Sequence, residues 1–151
     1  MTVEPQVKPK VFHYDVQVRW SSEKRGILTA KDKPPLEVAS PPEFKGHPGI
    51  WTPEDLLVSA VVSCTMTTFL SFAARKGIAL DSYECDATGT LEMVEGKFRF
   101  SKVVLRPRIV VARAEDRDEA LDVFHQAEAS CLVANSLLTK VEGEPEILVR
   151  S

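Results

Sequence analysis

Residues 11–20 alternate in polarity: Phe12, Tyr14, Val16, Val18 and Trp20 lie on one face, His13, Asp15, Gln17 and Arg19 on the other. That period of two predicts a half-buried strand. Glu23-Lys24-Arg25-Gly26 reads as a polar turn, Ile27–Ala30 as a second strand, Lys31–Pro35 as another turn and Leu36–Ala39 as a short third strand. A loop rich in Pro and Gly, Ser40–Trp51, follows. Alternation returns at residues 83–93, where Tyr83, Cys85, Ala87, Leu91 and Met93 share a face, and Val94–Lys97 reads as a hairpin turn. Phe98–Val111 predicts a long strand, with Phe98 and Phe100 opposite Ser101 and Val103, and Pro107 predicts an edge or a bulge within it. Glu115–Lys140 reads as one helix, acidic at its start, with Ala120, Leu121, Val123, Phe124 and Ala127 as its apolar stripe. Glu142–Val149 is expected to be a last strand.

Between these strand groups lies the stretch Thr52–Gly77. Thr52 suits an N-cap, Pro53 the first helical position, Arg75 and Lys76 the last turn and Gly77 a left-handed C-cap. Leu56–Ala74 contains no charged residue. A helix apolar nearly all round is buried, either in a membrane or in the middle of a protein. The run is barely long enough to span a bilayer, and Ser59, Ser63, Thr65, Thr67, Thr68 and Ser71 interrupt it, so a buried central helix is expected. Strands grouped around separate helices indicate an α+β fold with antiparallel sheet rather than a doubly wound one.

The length of 151 residues implies one domain spanning residues 1–151. A net charge of −3 gives no general attraction to nucleic acid or anionic lipid. The N-terminal MTVEPQVKPK lacks the apolar core of a signal peptide, which leaves the cytoplasm as the expected location. Three cysteines, an odd number without zinc-type spacing, argue against both a disulfide framework and a metal site.

Cys64 sits in the middle of the uncharged helix. It could be a small core hydrophobe, as could Cys131, and Cys85 on the apolar face of a strand reads as structural. A reactive thiol needs a cation or a helix N-terminus nearby, and Cys64 is about three turns from its helix start. Glu54 is equally at home as a first-turn carboxylate, and Arg25 as a solvated turn residue that Lys24 or Arg19 could replace. His13, His47 and His125 are isolated and read as surface or packing residues.

Three segments together resemble the OsmC/Ohr family of thiol-dependent hydroperoxide reductases, over nearly the whole chain. Trp20 with Lys24-Arg25-Gly26 resembles the family's first hairpin, whose turn presents an active-site arginine. Phe44-Lys45-Gly46, then Thr52-Pro53-Glu54-Asp55-Leu56 and Cys64, is similar to its Asn-Pro-Glu helix start and peroxidatic cysteine. Ala129-Ser130-Cys131, with Val133 and Ser136-Leu137, resembles its resolving-cysteine segment. Two departures stand out: Thr52 replaces the asparagine and still caps the helix, and Leu132 replaces a proline, which would let the helix run on through Cys131.

The resemblance implies an intertwined homodimer in which a six-stranded sheet wraps the long helices, with sites at the subunit interface. It implies that Cys64 attacks a hydroperoxide and becomes a sulfenic acid, and that Cys131 resolves it to a disulfide. An external thiol, a lipoyl-type dithiol or lipoylated protein, then reduces that disulfide, and no cofactor or metal is needed. Arg25 would lower the Cys64 pKa and orient the peroxide, held in place by Glu54. Apolar surroundings, including Phe69 and Trp51, would favour organic hydroperoxides over hydrogen peroxide. The competing expectation is a non-enzymatic dimer of the same fold that binds a small apolar ligand, with both cysteines structural.

Overall fold

The computed structural model describes residue 3 and residues 8–151. The N-terminus read above as lacking a leader lies largely outside the described residues. The chain forms two compact units, Met1–Pro53 and Glu54–Ser151.

The first unit is an antiparallel sheet of β1 (Gln17–Ser22), β2 (Arg25–Thr29) and β3 (Leu36–Ala39), in that order. The first strand is shorter than the alternation predicts. Its pairing ends at Gln17 opposite Thr29, because the turn after β2 leaves residues 11–16 no partner strand among the described residues. The apolar face predicted there is exposed: Phe12, Tyr14, Val16, Val18 and Trp20 are all more than 60% accessible. The Ser40–Trp51 loop contains one 3-10 turn, Pro42–Phe44, and ends with Trp51 bridged to Val38.

The second unit is a mixed sheet with helices on one face. β4 (Leu80–Val94) and β5 (Lys97–Val111) form a long antiparallel hairpin whose turn residues, Glu95 and Gly96, both have positive φ. That is the two-residue turn whose twist suits paired strands. The single last strand expected from the sequence is two, β6 (Lys140–Gly143) and β7 (Glu146–Val149). Both lie parallel to β5, so the sheet is not purely antiparallel. The reason is that the second helical segment carries the chain back to the starting end of the sheet, a crossover that only parallel pairing accommodates. Pro107 is likewise neither at an edge nor at a bulge. It is fully buried within β5, at the gap where β6 pairing (to Leu105) gives way to β7 pairing (from Arg108). Its missing N–H falls where no ladder bond is required.

Val103, Leu105, Pro107, Ile109 and Val111 of β5 face the helices. α1 (Pro53–Arg75) lays Val61 against Val103 and Leu105, and Phe69 and Ala73 against Ile109 and Val111. Gly77, at φ 70, ends it in the left-handed cap the sequence predicts. The buried stripe Val61, Thr65, Phe69, Ala73 recurs every four residues, and the other faces are half-buried or exposed in the single chain. α1 is therefore not enclosed all round by its own chain. By length and composition it could cross a membrane.

α2 (Arg117–Ser130) buries Ala120, Val123, Phe124 and Ala127 beside Phe69. The helix does not run on through Cys131. Cys131 is extended (φ −65, ψ 107), and a separate turn, α3 (Leu132–Asn135), follows. The side chain of Asn135 donates to the Ala129 carbonyl at 3.1 Å, taking the acceptor that a continuous helix would offer to the Val133 amide. Cys131 is fully buried while Leu132 is 70% exposed, so packing favours the break rather than a straight helix.

Candidate active site

All three cysteines are free thiols. α1 carries Cys64, half-buried, one residue before the buried Thr65. The break after α2 brings Cys131 to it. Burial is the largest single influence on the Cys64 thiol and pushes it up, but hydrogen bonds from the Val133 amide, the Cys131 thiol, Thr68 and the Leu132 amide outweigh burial and hold it below 9.0. Thr68 has one proton, and its 2.8 Å bond to the Cys64 carbonyl commits that proton to the backbone. The steady donors to sulfur are therefore two amides and the second thiol. These amides are available because the helix is broken at Cys131, which frees them from i−4 carbonyls.

Thr65 Oγ1 donates to the Val61 carbonyl at 3.0 Å and lies 3.5 Å from Cys131 Sγ. It gives the buried Cys131 thiol a polar neighbour. Cys85 is different: burial raises its pKa and Asp86 adds to the rise. Among the described residues no cluster of His, Cys, Asp and Glu could hold a metal.

Arg25 opens β2 in the first unit. Its Nη2 donates to Nδ1 of His47 at 3.2 Å and lies 3.9 Å from Glu23 Oε2, and its Nε is buried without a hydrogen-bond partner among the described residues. Glu54, in the first turn of α1, likewise keeps a buried Oε2 without one. His47 is therefore not the isolated packing residue its position in sequence suggests. Lys24, the alternative cation, is engaged elsewhere, donating to the Phe44 carbonyl at 2.9 Å. Sequence reasoning missed the Leu132 and Val133 amides, Thr65 and His47. Only His47 carried a signal, a histidine directly after Gly46 in a loop that leads to the cysteine helix.

A family model described as OsmC-like protein matches residues 46–146, well over half of the chain. The chain belongs to the OsmC-like family. It is 22% identical over 142 residues to the uncharacterized protein YmaD of Bacillus subtilis, covering 91% of this chain and 95% of that one. An OsmC-like protein of unknown function from Vibrio cholerae shares the fold with a TM-score of 0.83 at 25% identity, covering 90% of this chain and all of that one. An organic hydroperoxide resistance protein OsmC from Legionella pneumophila superposes with a TM-score of 0.69 at 18% identity, covering 93% and 100%. The α+β fold of this OsmC-like chain is thus that of the family, with its cysteine-bearing helix laid on a mixed sheet.

Proposed function

We propose that this OsmC-like protein is a two-cysteine hydroperoxide reductase. The observation that carries the reading is the hydrogen-bonded approach of Cys131 to a Cys64 whose pKa is lowered. Two thiols so placed, one favouring thiolate, can pass from sulfenate to disulfide without a large rearrangement.

The Cys64 thiolate attacks the distal oxygen of the hydroperoxide, the O–O bond breaks, and the alkoxide leaves with a proton as alcohol. Cys64 is now a sulfenic acid, oxidised by two electrons. The Cys131 thiolate attacks its sulfur, water leaves, and the disulfide forms. An external dithiol restores both thiols by exchange, a lipoyl-type group or lipoylated protein being the reductant the family resemblance supports. Arg25, from this chain or a second copy, is the cation that favours thiolate and orients the peroxide, and Glu54 is the carboxylate that holds its guanidinium. Each has a buried polar atom with no partner among the described residues, and satisfying such an atom by a charged hydrogen bond gains the most. The exposed apolar face of residues 12–20, and the uncharged, incompletely buried surface of α1 between Leu56 and Ala74, support a homodimer in which a second copy, rather than lipid, covers them.

The test is a thiol count by intact mass before and after one equivalent of cumene hydroperoxide. Wild type should lose two hydrogens, and Cys131→Ser should yield a sulfenate that a dione reagent traps. Cys64→Ser should be inert. An unchanged thiol count in folded wild type would overturn the reading and leave a binding protein.

A further inference from the structure

We propose that His47 is a positioning residue for Arg25, its Nδ1 accepting from the guanidinium and fixing its orientation without neutralising its charge. The assignment deepens the peroxidase reading and rests on it for what the oriented cation acts upon. An arginine side chain has five N–H donors and no acceptor, so the 3.2 Å contact requires Nδ1 to be unprotonated. The ring proton is then on Nε2, which faces Glu23 Oε2 at 3.6 Å. The carboxylate itself is a poor holder of Arg25, at 3.9 Å and with a side chain 69% exposed, whereas the His47 side chain is only 17% exposed. A second close carboxylate would orient the guanidinium and neutralise it further; a neutral imidazole adds orientation and takes no more of the charge than Glu54 does in the proposed site.

The backbone is built to hold this pair. The loop folds back so that the His47 amide donates to the Ser40 carbonyl at 2.9 Å and the Gly46 amide to the Pro41 carbonyl at 3.0 Å. A Cβ at Gly46 would collide with the Ser40 carbonyl, so the turn that presents His47 admits only glycine there. The same loop is tied to the residue before Arg25 twice, by Lys24 Nζ to the Phe44 carbonyl and by the Ser40 amide to the Lys24 carbonyl at 3.3 Å.

The experiment measures the second-order rate of Cys64 oxidation by cumene hydroperoxide in wild type, His47→Leu, His47→Phe and His47→Asn, each with and without Arg25→Ala. Leu and Phe remove the acceptor and should slow oxidation about tenfold, the scale of one hydrogen bond to a charged group. Asn places a carbonyl oxygen where Nδ1 was and should restore most of the rate. With Arg25→Ala present, His47→Leu should have no further effect. A wild-type rate in both His47→Leu and His47→Phe, or an equal loss with and without Arg25, would overturn the assignment. If wild type consumes no hydroperoxide, the peroxidase reading falls and the ¹⁵N shifts of the His47 ring decide. An acceptor-type Nδ1 that shifts on Arg25→Ala supports the pairing, and one that does not shift refutes it.

Discussion

Oxidising the protein with one equivalent of an organic hydroperoxide should raise its resistance to urea by an amount set by the Cys64–Cys131 loop. The two residues are 67 apart in sequence and adjacent in the fold. For a closed loop of that length the chain-entropy relation gives about 15 cal/mol/K, or about 4 kcal/mol at 25 °C. Cys131 is fully buried and already against Cys64, so little of this should be lost to rearrangement. With a urea slope of about 2 kcal/mol/M the midpoint should rise by about 2 M. The same increment, read through the redox cycle, makes the folded disulfide about 90 mV more reducing than the same pair in the unfolded chain. The assay is urea unfolding of reduced and oxidised protein at one protein concentration, with Cys131→Ser treated identically as control. A wild type that loses two hydrogens but gains less than about 1 kcal/mol would refute the reasoning, since a loop of this length cannot close in the chain-entropy account with so little effect.

Gly89→Ala should destabilise the second unit by about 1–3 kcal/mol, read as a lower urea midpoint, because the new Cβ would lie 2.6 Å from Val58 Cγ2 and 2.9 Å from Phe100 Cε1. Iodoacetamide should modify Cys64 before Cys85, as mapped by peptide mass, because donors lower the first thiol and burial raises the second. Cys131→Ala removes one donor and should slow that modification, while Cys131→Ser keeps a donor and should slow it less. The lowered Cys64 pKa also makes a stability term with a definite sign. Between its folded value and 9.0 the unfolded state binds more protons, so the term grows as pH rises, is complete above 9.0 and is lost as pH falls through the folded value. Unfolding free energies of wild type minus Cys64→Ser, measured across that range, should climb with pH.

Much of the fold was legible because local chemistry and tertiary packing agree. Pro53 and Gly77 bound α1 in the structure as capping rules predict, and the β4–β5 hairpin turns where Val94–Lys97 suggested. The failures among the strands share a cause, dependence on a partner strand that sequence cannot display. Phe12 to Val16 alternate as a strand should, yet β2 ends at Thr29 and leaves them without a partner strand among the described residues. Pro107 obeys the rule against proline in a ladder only because β6 and β7 are two strands with a gap opposite it. Glu142–Val149 offers no hint of parallel pairing, which follows from the crossover through α2 and α3.

The site divides along the same line. Cys64 and Cys131 could be singled out as candidates because side chains are written in the sequence. Their electrostatic environment was read as a search for one missing cation, since nothing in the spacing of Ala129 to Val133 tells whether an amide is free. Leu132 in place of proline even argued for a continuous helix, which would have consumed the Val133 amide on the Ala129 carbonyl. Asn135 takes that carbonyl instead, and the break points two amides and one thiol at Cys64. The consequence is that the segment carrying Cys131 also supplies the donors that lower the Cys64 thiol. In the proposed cycle this arrangement would favour the attacking thiolate while Cys131 is reduced and would lose one of its donors once the disulfide forms. These donors lower the Cys64 thiol without any cation, so if Arg25 acts as proposed, Arg25→Ala should slow alkylation of Cys64 at neutral pH without abolishing it.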